Sequence, residues 1–180
     1  HYDKDGDDHY DLLSAFQKSI RGSDPDASIF YLAKLLACKD LISPCRRLLV
    51  IASEDIGLAY PQAGAIVKSL VDSALQLGLP EARIPLAEAA LFLATAPKSN
   101  SAINAIDLAL EDINNGLGKE VPSHLKDGHY SGASKLNHSN NYLYPHSYPN
   151  HYVKQEYLPS DISYRVYYMY GKNKVEEAAK

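Results

Sequence analysis

From Asp8 to Arg21 the apolar residues Leu12, Leu13, Phe16 and Ile20 recur at helical spacing, predicting an amphipathic helix that Gly22 ends as a left-handed cap. Ser23-Asp24-Pro25 restarts the chain: Ser23 or Asp24 is placed to cap a second helix, and Pro25 suits its first position. Ile29, Leu32, Leu35 and Leu36 mark that helix's buried face up to about Cys38. Ser43-Pro44 repeats the start signal for a third helix with Leu48, Leu49, Ile51, Ala52 and Ile56, ended by Gly57. Pro61 opens a fourth helix to about Leu77, stopped by Gly78, with Ile66, Val67, Leu70, Val71 and Ala74 inward. Pro80 opens an alanine- and leucine-rich fifth helix to about Ala96, whose small residues allow close approach to a neighbour. After Pro97, with Ser99 or Asn100 as cap, Ile103, Ile106, Leu110 and Ile113 stripe a sixth helix before Asn114-Asn115-Gly116. The short loops favour antiparallel neighbours, so the expected class is all-α, a compact stack of about six antiparallel helices over residues 1–118.

Beyond Gly118 the pattern changes. Ten of the fourteen tyrosines lie after residue 127, and five of the seven histidines lie from His124 onward, interleaved with Pro145, Pro149 and Pro159. Residues 119–180 therefore read as an extended Tyr/Pro-rich arm, with a helical turn near Tyr152 to Tyr157 and a strand-like Ser163 to Tyr170. So aromatic an arm is expected to pack on the helical body or on a neighbouring subunit.

Composition narrows the class. The chain has 180 residues, of which 46% are hydrophobic and 22% charged, enough for one sizeable core. No window approaches the roughly 18 apolar residues of a membrane span, and the start does not resemble a secretion signal, so no membrane partner and a cytoplasmic location are expected. The sole methionine is Met169 and the chain opens at His1, which reads as a segment excised from a longer protein whose N-terminal part holds the chemistry. Residues 1–118 hold 10 Lys/Arg and 16 Asp/Glu, a net of −6; residues 119–180 hold 8 and 6, a net of +2. A dedicated nucleic-acid domain would be strongly basic throughout, so DNA contact here is expected to be local.

Candidate chemistry is sparse. Asp3 to Asp8 resembles a calcium loop, but Asp8 falls where the glycine belongs and Ser14 where the closing glutamate belongs. Ser123-His124-Leu125-Lys126 matches S-x-x-K without its companion motifs, and no phosphate-binding glycine loop or H-E-x-x-H occurs. Cys38 and Cys45 read as free structural thiols, and the tail histidines His124, His129, His138, His146 and His151 lack the accompanying ligands of a metal site. Neither a catalytic residue nor a metal ligand is assigned. Ala96-Pro97-Lys98-Ser99-Asn100 places a lysine and two polar side chains at a helix N-terminus, so Lys98, Ser99 and Asn100 are candidate phosphate contacts beside the simpler reading of a capping turn.

Ser43 to Gln62 carries the most informative arrangement. Arg46 and Arg47 stand at the start of the third helix, and Glu54 and Asp55 at its end, each where the helix dipole disfavours its charge. Groups outside the helix must compensate them. The expected result is an ion-pair lattice between helices or subunits, with Glu54 or Asp55 meeting Arg83 or Arg47.

Five ordered blocks carry a family resemblance: His9 to Phe16 (HYDLLSAF) with Ser19 to Ala27 (SIRGSDPDA); Ala52 to Ala59 (ASEDIGLA); Leu79 to Ala87 (LPEARIPLA); Ala96 to Asn100 (APKSN); and Tyr144-Pro145-His146 with Gln155 to Pro159 (QEYLP). Over about residues 1–160 the chain resembles the C-terminal part of the replication-associated recombination protein A (RarA, or MgsA) family, AAA+ ATPases related to clamp loaders and to Werner-helicase-interacting protein. Tyr60 and the loop from Lys39 to Pro44 depart from the family pattern. The resemblance implies a post-AAA+, clamp-loader-like oligomerisation domain that holds a homotetramer together. It implies ATP and Mg bound by the full-length protein, outside this segment, and action at stalled forks with DNA and replication-fork proteins as partners in the nucleoid. The alternative is a DNA-binding module using Lys98, Arg46 and Arg47.

Overall fold

The computed structural model describes residues 6–127 and 141–180. Its helices are α1 (Gly6–Arg21), α2 (Pro25–Ala37), α3 (Ile42–Ile51), α4 (Ala63–Leu77), α5 (Arg83–Thr95), α6 (Ser101–Asn114) and the short α7 (Lys174–Ala179), and the described residues contain no strand. The chain is all-α, as its apolar stripes predict.

The punctuation works through slightly different atoms from those expected. Gly22 N–H still donates to Lys18 O at 2.9 Å, so α1's pattern runs one residue further and Ser23, φ 59°, makes the left-handed reversal. Asp24 then caps α2, its Oδ1 accepting from Ala27 N at 2.9 Å, with Pro25 first in the helix. At α3 neither Ser43 nor Pro44 caps; the helix begins at Ile42, and Asp40 Oδ1 accepts from Ser43 N at 3.1 Å. Pro61 and Pro80 sit in turns that precede α4 and α5, and the Leu79–Pro80 peptide is cis. Gly78, φ 73°, ends α4 as its position suggested.

The chain divides into two compact units, residues 1–105 with 168–180, and residues 106–167. In the first unit, α1 packs on α2 and α3, α3 on α4, and α5 lies against α1, α2, α3 and α4. Phe16, Ile20, Leu35, Leu48, Ile51, Ile56, Val67, Leu86 and Leu93 are fully buried there. Apolar residues ring α5, and burying Leu86, Ala89, Ala90, Leu93 and Ala94 from several sides follows from that pattern. Cys45 is buried, with its thiol pushed up to about 11 by burial and by the nearby Asp40 charge, and Cys38 is half-buried; both are free thiols.

The second unit is organised by side chains more than by packing. Arg165 holds Asp112 through two bonds, Nε to Oδ2 at 2.7 Å and Nη2 to Oδ1 at 2.6 Å, and Tyr167 OH donates to Oδ2 at 2.6 Å. These bonds keep the Asp112 carboxyl below its ordinary pKa range. The Gln155 amide pairs with Leu143 as a strand would, donating to its O at 2.8 Å and accepting from its N at 3.1 Å. The helical turns fall at Ser123–Leu125, Pro145–Ser147, Pro149–His151 and Ser160–Ile162. Tyr152 to Tyr157, expected to turn, is extended, and Ser163 to Tyr170, expected to be strand-like, begins with a turn and joins no ladder. The Gln155 amide and the Asp161 carboxylate take up backbone groups of Leu143 and Gly118 that no ladder pairs. Of the stripe Ile103, Ile106, Leu110 and Ile113 expected on the sixth helix, Ile103 is half-buried and the other three are 54%, 50% and 64% exposed.

Candidate functional site

Within Ser43 to Gln62, α3 runs on into a π turn, Ala52–Ile56, which contains both Glu54 and Asp55. Such a turn inserts one extra residue per turn and redirects the side chains it carries. Gly57, φ 46° and ψ −123°, closes it in a conformation that suits glycine. Ser99 N donates to Asp55 O at 2.8 Å, binding the Ala96 to Asn100 loop to the turn's end.

An arginine does meet both acids, and it comes from α1. Arg21 Nε donates to Asp55 Oδ1 at 2.7 Å and Nη2 to Glu54 Oε2 at 2.9 Å. Gln17, one helical turn earlier on the same face, donates from Nε2 to Asp55 Oδ2 at 3.0 Å and accepts from Arg47 Nη1 at 2.8 Å. Asp55 is 5% exposed, so this cation and amide together satisfy a buried charge, and the carboxylates raise the Arg21 pKa further. Arg47 thus joins through Gln17, whereas Arg83 donates to its own turn at Pro80 O, 2.8 Å away, and the exposed Arg46 has no partner among the described residues. The α1–α3 packing brings the last turn of α1 over the π turn, within an arginine's reach; Gln17 and Arg21 at i, i+4 were the available signal.

Lys98, Ser99 and Asn100 line a cleft of 420 Å³ with Arg21, Glu54 and Asp55. Lys98 Nζ donates to Ala96 O (2.6 Å), Ala94 O (3.1 Å) and Ser23 Oγ (3.1 Å), which uses its three hydrogens. Burial lowers its pKa, against a smaller opposing pull from Asp55. It therefore fixes the loop to the ends of α1 and α5. The anion at the start of α6 belongs to the chain itself. Ser99 Oγ donates to Glu176 Oε2 at 2.6 Å and Ser101 Oγ to Oε1 at 2.7 Å, while Asn173 Nδ2 (2.5 Å) and Tyr168 OH (2.8 Å) complete the shell.

Glu176 is 1% exposed. Burial alone would raise its pKa, but bonds from Ser99, Ser101, Asn173 and the Gly171 backbone outweigh it and hold the carboxyl at about 2. A Cβ on Gly171 would collide with Glu176 Oε2, whose position the buried shell fixes, so glycine suits this close approach. Asn173 Oδ1 also accepts from Glu176 N at 2.9 Å, capping the start of α7. The Asn-x-x-Glu spacing was the sequence signal for this contact.

Among the described residues no group of three or more His, Cys, Asp or Glu side chains is placed to hold a metal, and no helix is long and apolar enough to cross a membrane. His124 Nε2 lies 2.6 Å from Glu156 O, and His146 and His151 meet through Nδ1 at 3.2 Å; His129 and His138 lie outside the described residues.

These contacts unite the blocks that begin at Ser19, Ala52 and Ala96 into one structural knot, and comparison with known sequences gives that knot its context. Residues 22–180 match the family model described as MgsA AAA+ ATPase C terminal. The chain belongs to this family. It is 58% identical over 167 residues to replication-associated recombination protein A of Bacillus subtilis (strain 168), covering 93% of this chain and 40% of that protein. The protein of the same name in Escherichia coli (strain K12) is 37% identical over 169 residues, 93% of this chain and 38% of that one. Similarity extends to the ATPase WRNIP1 of Dictyostelium discoideum, 33% over 172 residues, 94% of this chain and 20% of that protein. The chain thus spans less than half the length of these relatives.

Proposed function

We propose that this chain is a non-catalytic oligomerisation domain that joins copies of a replication- and recombination-associated AAA+ ATPase into a homotetramer acting at stalled forks. ATP and Mg would bind outside these residues, and DNA and fork proteins would be met by the full-length, cytoplasmic and nucleoid-associated protein. One observation carries the assembly role. Tyr144, Tyr152, Tyr157 and Tyr164 of the second unit are 56%, 70%, 50% and 68% exposed, an aromatic surface of the kind enriched at the centre of protein interfaces. The domain division expected from the sequence, a helical body over residues 1–118 and an aromatic arm over 119–180 that packs in cis or on a neighbour, belongs to the same proposal.

Light scattering on the chain at high micromolar concentration tests it. A multiple of the single-chain mass is expected, reduced by Tyr152→Ser with Tyr164→Ser; a monomer overturns the assembly role. Phosphate contact through Lys98, Ser99 and Asn100 has less support, because Lys98 and Ser99 already donate within the chain.

A further inference from the structure

Two apolar surfaces of the chain match in length and oppose in charge. The first is the outer face of α6, where Ile106, Leu110 and Ile113 stand at i, i+4 and i+7 and are at least half exposed. Beside them run Asp107 and Glu111, both exposed, whose carboxylates have no partner among the described residues. The second is a groove of 590 Å³ in the first unit, between α2 and α5, with Ile29, Leu36, Leu79 and Ile84 in its apolar lining. Ile84 is 60% exposed. Among the described residues, the groove's charged lining residues are Lys39 and Arg83, with no acid in its lining.

The dimensions agree. At about 1.5 Å rise per residue, the ridge from Ile106 to Ile113 is roughly 10 Å long, and the groove wall along α2 from Ile29 to Ala37 is roughly 12 Å. An acidic-edged ridge of two helical turns matches a cationic-edged groove of two turns, and this chain presents both.

We propose that the α6 ridge of one copy seats in the α2–α5 groove of a second copy, with Asp107 and Glu111 opposite Lys39 and Arg83. This rests on the assembly role proposed above and names the surfaces that perform it. Because ridge and groove are different patches, each copy both gives and receives, either reciprocally across a two-fold axis or around a closed ring.

A charge-reversal pair tests the contact by sedimentation velocity. Lys39→Glu with Arg83→Glu makes an acidic groove, and Asp107→Lys with Glu111→Lys makes a basic ridge. Each double variant alone is expected to associate at least about ten-fold more weakly than the unmodified chain, through like-charge opposition. Mixed in equal amounts, the two are expected to recover association, because the basic ridge of one meets the acidic groove of the other. All four positions are exposed or rim positions, and unchanged thermal unfolding of each variant shows that folding is intact. If the unmodified chain is a monomer, the assembly role falls and this contact with it. If it associates but the double variants associate equally well, or if mixing recovers nothing, this contact is overturned while assembly stands; so too if reversal spares self-association and abolishes binding of a different protein.

Discussion

Asp55 and Glu176 are both buried carboxylates of the first unit, yet they are stabilised in opposite ways. Asp55 is held by a cation from another helix: Arg21, whose side chain is 47% exposed, keeps one end in water while it neutralises the acid. Among the described residues no cation reaches Glu176. Two serine hydroxyls, an asparagine amide, a tyrosine hydroxyl and a glycine backbone N–H share its charge. Dipoles that cannot reach water in the absence of the acid make the second arrangement the less forgiving one. A partly exposed cation recovers its hydration when the acid is lost, whereas buried hydroxyls do not.

Truncation tests this difference most strongly. Glu176→Ala is expected to lower unfolding stability by about 3 kcal/mol, since Ser99 and Ser101 lose a charged acceptor while buried. Asp55→Ala is expected to lower it by about 2 kcal/mol, because Arg21 turns to solvent and mainly Gln17 is left unsatisfied. Urea midpoints at constant m-value measure both, and equal losses would erase the distinction.

The acid limb sharpens it. Folded Glu176 takes up its proton only near pH 2, against an ordinary value of 4.5, so between these values the unfolded chain binds more protons. Stability from this group is therefore complete above about pH 4.5 and is lost as pH falls toward 2. Glu176→Gln is expected to remove that part of the slope, seen as a flatter pH dependence of the melting temperature.

Smaller effects divide the shells. Ser99→Ala and Ser101→Ala are each expected to lower stability by about 1 kcal/mol, and the double variant by a different amount from their sum because both donate to one carboxylate. Glu54→Gln, at the exposed arm of the arginine pair, is expected to lower stability by about 0.5 kcal/mol, and the loss should vanish near 1 M salt, where the Debye length is about 3 Å. A salt-sensitive Glu176 variant beside a salt-insensitive Glu54 variant would invert the comparison.

The helices were legible because proline, glycine and the capping Asp24 punctuate apolar stripes, and tertiary packing agrees with local preference along α1 to α5. The dipole argument at Glu54 and Asp55 correctly required an outside arginine. It could not choose among arginines, since the choice depends on which helix crosses the π turn, and the turn itself leaves no mark in the sequence. Glu176 sits in Lys-Val-Glu-Glu-Ala-Ala-Lys, which reads as a solvated helix; its burial depends on residues more than seventy positions away. The α6 stripe misled for another reason. Periodicity reports that a face is apolar, and says nothing about whether the rest of the chain covers it.

The bond between Ser101 and Glu176 closes a span of 75 residues, and the whole second unit is translated between its two ends. At a synthesis rate of about 5–20 residues per second, the start of α6 waits roughly 4–15 seconds for its acceptor. Nascent chains therefore carry α1 to α5 together with two bare hydroxyls, and the first unit matures only after the second has emerged. The order of manufacture makes Glu176 a completion signal for the fold.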